Sequence, residues 1–89
     1  MKLILTFTLS QKNRDAAIHR FLETGGNPPP GVKLVGRWTR QDLAGGFLLL
    51  ESTDSKALAR FSRDWSDVCD LSLFPVVEDA ELVDVLRAR

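Results

Sequence analysis

Few residues in this chain are of types that do chemistry, and most of them stand alone. His19 is the only histidine, and imidazole is the side chain that ordinarily titrates nearest neutrality. In "NRDAAIHRFLETG", Asp15 and Glu23 stand one helical turn before and after it. A carboxylate there could fix one tautomer and make the ring a general base. The plainer expectation, and the preferred one, is a surface histidine with i, i+4 partners worth about a few tenths of a kcal/mol. Arg37 and Trp38 are neighbours in "VKLVGRWT", and strand alternation sends neighbours to opposite faces. Trp38 shares parity with Val32 and Leu34 and is expected on a core face. Arg37 then joins Lys33 and Val35 on the other face, where it meets an anionic ligand, a carboxylate of a partner chain, or a structural ion-pair partner. Trp65 completes a stripe with Leu58 and Phe61, so core packing is favoured over a stacking platform. The candidate ligand-binding residues are thus Arg37, Trp38, His19 and Trp65, and only His19 and Arg37 are candidates for catalysis.

The remaining patterns point away from metals and nucleotides. Asp64, Asp67 and Asp70 lack the alternating ligands and central glycine of a calcium loop, and a solvated turn accounts for them. Cys69, the single cysteine, has no second cysteine or nearby histidine in sequence for a zinc site or a nucleophile–base pair, and reads as a small core residue. Gly25-Gly26 and Gly45-Gly46 follow neither dinucleotide-binding nor phosphate-loop spacing. No metal and no cofactor is expected. Tyrosine, a common proton donor, is absent.

The elements that must position these residues follow from periodicity. "KLILTFTL" alternates Leu3, Leu5, Phe7 and Leu9 with Lys2, Ile4, Thr6 and Thr8, a strand with one strongly apolar face. From Asn13 to Thr24 the period becomes helical, with Ile18, Phe21 and Leu22 as the stripe and Gly25-Gly26 as the stop. "GGNPPPG" is a stiff loop. "VKLVGRWT" and "FLLLES" read as two antiparallel strands joined across "RQDLAGG". Thr53 or Asp54 caps a second helix with Leu58, Phe61 and Trp65 on one face and Lys56, Arg60 and Arg63 on the opposite one. "VCDLSLFPVVE" is a strand that Pro75 places at an edge or a bulge, and Glu78 or Asp79 starts a last helix carrying Leu82, Val85 and Leu86. The order β-α-β-β-α-β plus a terminal helix implies a single α+β, ferredoxin-like domain over residues 1–89, with an antiparallel sheet and two helices on one face.

Composition narrows the partners. The 89 residues carry 12 basic and 12 acidic side chains, so the chain lacks the electrostatic footprint of a nucleic-acid or anionic-membrane binder. One cysteine and no signal- or span-like run imply a cytoplasmic protein. The sheet face away from the helices would expose Ile4, Thr6, Thr8 and one pair of Phe47/Leu49 or Leu48/Leu50. Each large apolar side chain is worth about 1.5–3 kcal/mol on burial, so a second copy packed face to face is the simplest cover. The competing expectation is that the last helix folds over that face of its own chain, although about ten residues are short for the task.

The segments "NRDAAIHRFLETG", "PPPGVKLVGRW", "GFLLLE" and "WSD" together resemble the family known as domain of unknown function 3303, over nearly the whole chain. The resemblance implies a ferredoxin-like fold similar to the dimeric α/β-barrel group, which includes cofactor-free monooxygenases, haem-degrading enzymes and stress-response proteins. Chemistry varies across that group, so the fold passes on no mechanism. The sequence therefore implies a small homodimer holding a partly apolar small molecule between sheet and helices. Alternatives are a cofactor-independent monooxygenase or isomerase using His19 and Arg37, and a partner-binding module. A cavity of roughly 300 Å³ or more converging on either residue would favour the enzyme.

Overall fold

A computed structural model describes residues 1–88. The strands are β1 (Lys2–Thr8), β2 (Lys33–Thr39), β3 (Gly45–Glu51) and β4 (Asp70–Val76). The helices are α1 (Arg14–Thr24), α2 (Ser55–Trp65) and α3 (Asp79–Arg87). The four strands form one antiparallel sheet in the order β2-β3-β1-β4. This is the ferredoxin-like arrangement expected from the sequence, and β4, with Pro75 near its end, is an edge strand as that proline requires.

Two of the helices have a readable start and the other a readable end. The Asp54 carboxylate accepts the Ala57 N–H at 3.0 Å and caps α2, while Glu78 and Glu81 form a reciprocal capping box on α3. α1 ends at Gly25, whose φ of 74° lets its N–H turn back to the Phe21 carbonyl at 2.8 Å. The proline loop is stitched to the start of α2 by the buried Ser52, whose hydroxyl donates to the Gly31 carbonyl at 2.6 Å and accepts the Asp54 N–H.

The core lies between the sheet and α2. Leu3 and Leu5 of β1 face Leu50 and Leu48 of β3, and these four pack with Val32, Ala57, Leu58 and Phe61. Leu50 is fully buried, which contributes about 1.5–3 kcal/mol. α1 sits differently. Its one buried residue is Ala17, packed on Val68 and Cys69, whereas Ile18, Phe21 and Leu22 stay exposed at its edge. The apolar stripe that marks α1 in the sequence therefore borders open space rather than packed atoms.

β2 departs from simple alternation. Leu34 pairs with Leu50 but Gly36 pairs with Leu49, so Val35 is an extra residue in a β-bulge. Beyond it the faces exchange: Arg37 lies opposite Leu48 on the helix side, and Trp38 opposite Phe47 on the other. The expectation that Trp38 shares the core face with Val32 and Leu34 is thus overturned, as is the placement of Arg37 with Lys33 and Val35. Trp38 is 52% exposed and stacks on Phe47 with centroids 5.1 Å apart. A Cβ on Gly36 would come within 2.5 Å of the indole, so only glycine leaves room for the ring to lie along the strand.

The far sheet face carries Trp38, Phe47 and Phe74, all substantially exposed, with Ile4 and Leu49 between them in the strand register. α3 does not cover this face: none of its residues is buried, and Leu82, Val83, Val85 and Leu86 are themselves exposed.

Candidate functional site

Between α1, α2 and the helix side of the sheet lies a cavity of about 320 Å³, at the lower end of small-molecule sites. The sheet contributes Leu5, Phe7, Leu48 and Leu71 to its floor. α2 and the turn after it contribute Phe61, Trp65 and Cys69, and α1 contributes Ala17, Ile18, Phe21 and Leu22. The rim carries Leu9, Leu43, Arg37 and Thr39. Arg37 is the only charged side chain in this lining.

Two arginines hold α1 over the cavity. Near its middle, Arg20 grips both oxygens of Asp67 at 2.7 Å, donates to the Asp64 carbonyl at 2.7 Å and lies over the Trp65 ring. The hydrogen bonds from Arg20 draw the Asp67 carboxyl below its usual range. Asp67, expected to be a solvated turn residue with Asp64 and Asp70, is therefore one half of a two-pronged ion pair. At the C-terminal end of α1, Arg37 donates from Nη1 to the Gly26 carbonyl at 2.8 Å and from Nη2 to the Gly25 carbonyl at 3.0 Å, with its guanidinium 4.8 Å from the Phe21 ring centroid. A cation there complements the negative end of the helix. Partial burial lowers the Arg37 pKa from its ordinary value, and among the described residues no carboxylate lies within ion-pair distance of it.

Of the sequence-derived candidates, the fold brings Arg37 and Trp65 to one cavity and leaves His19 and Trp38 outside it. His19 is an exposed residue of α1 paired with Glu23 at 3.0 Å, the i, i+4 arrangement preferred from the sequence. Cys69 does line the cavity, and burial pushes its thiol above the usual range. Among the described residues no cluster of histidine, cysteine or carboxylate side chains suits a metal ion. Three lining residues escaped sequence reasoning: Ala17, Thr39 and Leu43. Leu43 left a trace, being a lone apolar residue in the polar turn "RQDLAGG". It adopts φ 60°, a left-handed conformation uncommon for leucine, and its side chain lies at the rim.

The arrangement can enclose a small apolar body and present one cation to it. No helix among the described residues is long and apolar enough to cross a membrane. The fold is shared with solved structures of low sequence similarity. One is a Nitrosomonas europaea protein described as an antibiotic biosynthesis monooxygenase, 13% identical, with 88% of this chain and 100% of that one covered at a TM-score of 0.52. Another is Rv0793 from Mycobacterium tuberculosis, 9% identical, with 89% of this chain and 97% of that one covered at 0.50. At these identities the likeness establishes the fold alone. No curated protein matches the sequence. A family model described as a domain of unknown function, DUF3303, matches residues 1–89 from end to end, and the chain belongs to that family.

Proposed function

We propose that this chain is a small cytoplasmic homodimeric domain that binds a compact, largely apolar molecule in the cavity beneath α1. The observation that carries the reading is the cavity itself. In a domain of 89 residues, a hollow of about 320 Å³ forgoes packing that would otherwise stabilise the fold. α1 is held above it by Arg20 and Arg37 instead of being collapsed onto the sheet. An occupant restores the missing contacts to Phe61, Trp65 and Leu71. The dimer rests on a separate observation, the exposed Trp38–Phe47 stack and Phe74 on the far face, which a second sheet would cover.

A second reading, a cofactor-independent oxygenase or isomerase, is favoured by Arg37: a cation beside an apolar cavity stabilises an anion formed on a bound molecule. His19 takes no part in that reading, since it lies off the cavity. Native mass spectrometry of the protein purified from its own host tests the binding reading, with a retained small molecule as the expected result. A chain that carries nothing, and that gives no heat with a neutral apolar probe such as 1-octanol, would refute it. Conversion of the retained molecule by the purified protein in air, monitored by mass, would establish the enzyme.

A further inference from the structure

We propose that the cavity's ligand is an amphiphilic monocarboxylate, its carboxylate held by Arg37 and its apolar body lying toward Phe61 and Trp65; this rests on the binding reading above. Charge is the first argument. A partly buried cation is costly unless compensated, and among the described residues Arg37 meets only neutral groups, the carbonyls of Gly25 and Gly26 and the face of the Phe21 ring. Each of the four charged-group contacts among the described residues uses a basic side chain other than Arg37: Lys2, His19, Arg20 or Arg40. The net positive charge at the rim is thus unmatched among the described residues.

Donor count is the second argument. A guanidinium has five N–H donors in a planar fork. The two carbonyls take one from Nη1 and one from Nη2. Three remain, enough for the two parallel bonds that a carboxylate accepts. Thr39 adds a hydroxyl two residues along the same face of β2, also at the rim. The carbonyl ties keep the guanidinium from swinging into solvent, so little order is lost when an anion binds.

Size and polarity set the rest. At about the 30 Å³ that a water molecule takes in the liquid, a cavity of about 320 Å³ holds on the order of ten non-hydrogen atoms. Only one charged side chain lines it, so a second charge on the ligand would be buried without a partner. A single acid group on a short chain or one ring fits, whereas a phosphate ester or a dicarboxylate does not.

The test is isothermal titration calorimetry of the intact protein with two probes of nearly equal shape, octanoate and 1-octanol. Octanoate is expected to bind about ten- to a hundredfold more tightly, the range of charge-assisted hydrogen bonds. In Arg37→Gln that preference is expected to vanish, the two probes binding equally whatever loosening of α1 does to their common affinity. Equal binding of both probes by the unaltered protein would overturn the carboxylate proposal and leave the cavity reading standing. A preference that persists in Arg37→Gln would overturn the assignment to Arg37. Binding of neither probe would overturn both the proposal and the reading on which it rests. The comparison on the unaltered protein decides the proposal even if the variant does not fold.

Discussion

Gly25 and Gly26 offer a matched pair of perturbations that isolates the Arg37 anchor. Both adopt left-handed backbone, with φ 74° and 63°, so alanine at either position incurs about 1 kcal/mol of backbone strain. The surroundings differ. A Cβ on Gly25 meets only the Asn27 side-chain amide, at 3.3 Å. A Cβ on Gly26 comes within 2.6 Å of Arg37 Nη1 and 2.9 Å of Phe21 Cδ2, distances that force the guanidinium or the ring to move. Displacing the guanidinium weakens its bonds to both glycine carbonyls. Charge-assisted bonds are worth about 1.5–3 kcal/mol each when well sheltered, and less at this half-exposed site. Gly26→Ala is therefore expected to lose about 2–4 kcal/mol against about 1 for Gly25→Ala. With a urea slope of about 1 kcal/mol per molar for a domain of this size, the midpoint falls by about 2–4 M in the first variant and about 1 M in the second. In an Arg37→Met background the gap between the two substitutions should narrow to what the Phe21 contact alone costs, because the coupled guanidinium is gone. Equal losses in the unaltered background would show that Arg37 does not hold the end of α1.

Four further outcomes are expected. Phe47→Lys, which places a charge in the Trp38 stack, should convert a species of twice 9.9 kDa into a single chain by sedimentation, and a parent protein that is already single at micromolar concentration would refute the dimer. Cys69 should react with a disulfide reagent only above the ordinary thiol range near pH 8.5, because burial raises its pKa, and 1-octanol should slow the reaction further; a rate equal to that of free cysteine would contradict its place in the cavity. Asp67 has a folded pKa below its unfolded value through its bonds to Arg20, so its contribution is present above the unfolded value near pH 3.9 and is lost as pH falls through the folded one. The stability gap between the parent and Asp67→Asn, followed by urea unfolding, should narrow below about pH 4 and would stay constant if the pair were idle. Leu43→Gly relieves the strained φ of 60° and should leave stability within about 1 kcal/mol while weakening 1-octanol binding, and unchanged binding would remove Leu43 from the rim.

What the sequence made legible was period, and period reports a face without reporting depth. The alternation of β1, the stripe of α2 and the caps at Asp54 and Glu78 all appear as expected, because each depends on residues close along the chain. The stripe of Ile18, Phe21 and Leu22 looks like that of α2, yet it borders a hollow. How far α1 stands from the sheet depends on Arg20 reaching Asp67 and Arg37 reaching Gly25 and Gly26, contacts between residues distant in sequence.

The faces of Arg37 and Trp38 were hidden by a single residue. One extra position in a strand sends every later side chain to the opposite face, and the bulge at Val35 does this for the second half of β2. A signal was present, since Gly36 is an isolated glycine inside a strand pattern, a mark of bulges and of close backbone approach. The exchange decides what each residue is free to do. With alternation unbroken, the arginine would stand on the apolar far face, where a second copy would have to bury its charge, and the indole would fill the space beneath α1. With the bulge, Trp38 lies on Phe47 as part of a surface suited to a partner sheet, and Arg37 brings the one charge to an otherwise uncharged cavity. Deleting Val35 removes the extra residue while leaving Leu34 opposite Leu50 and Gly36 opposite Leu49, so Arg37 and Trp38 should keep their faces and both the preference for octanoate and self-association should survive; a joint loss of the two would refute this account of the bulge.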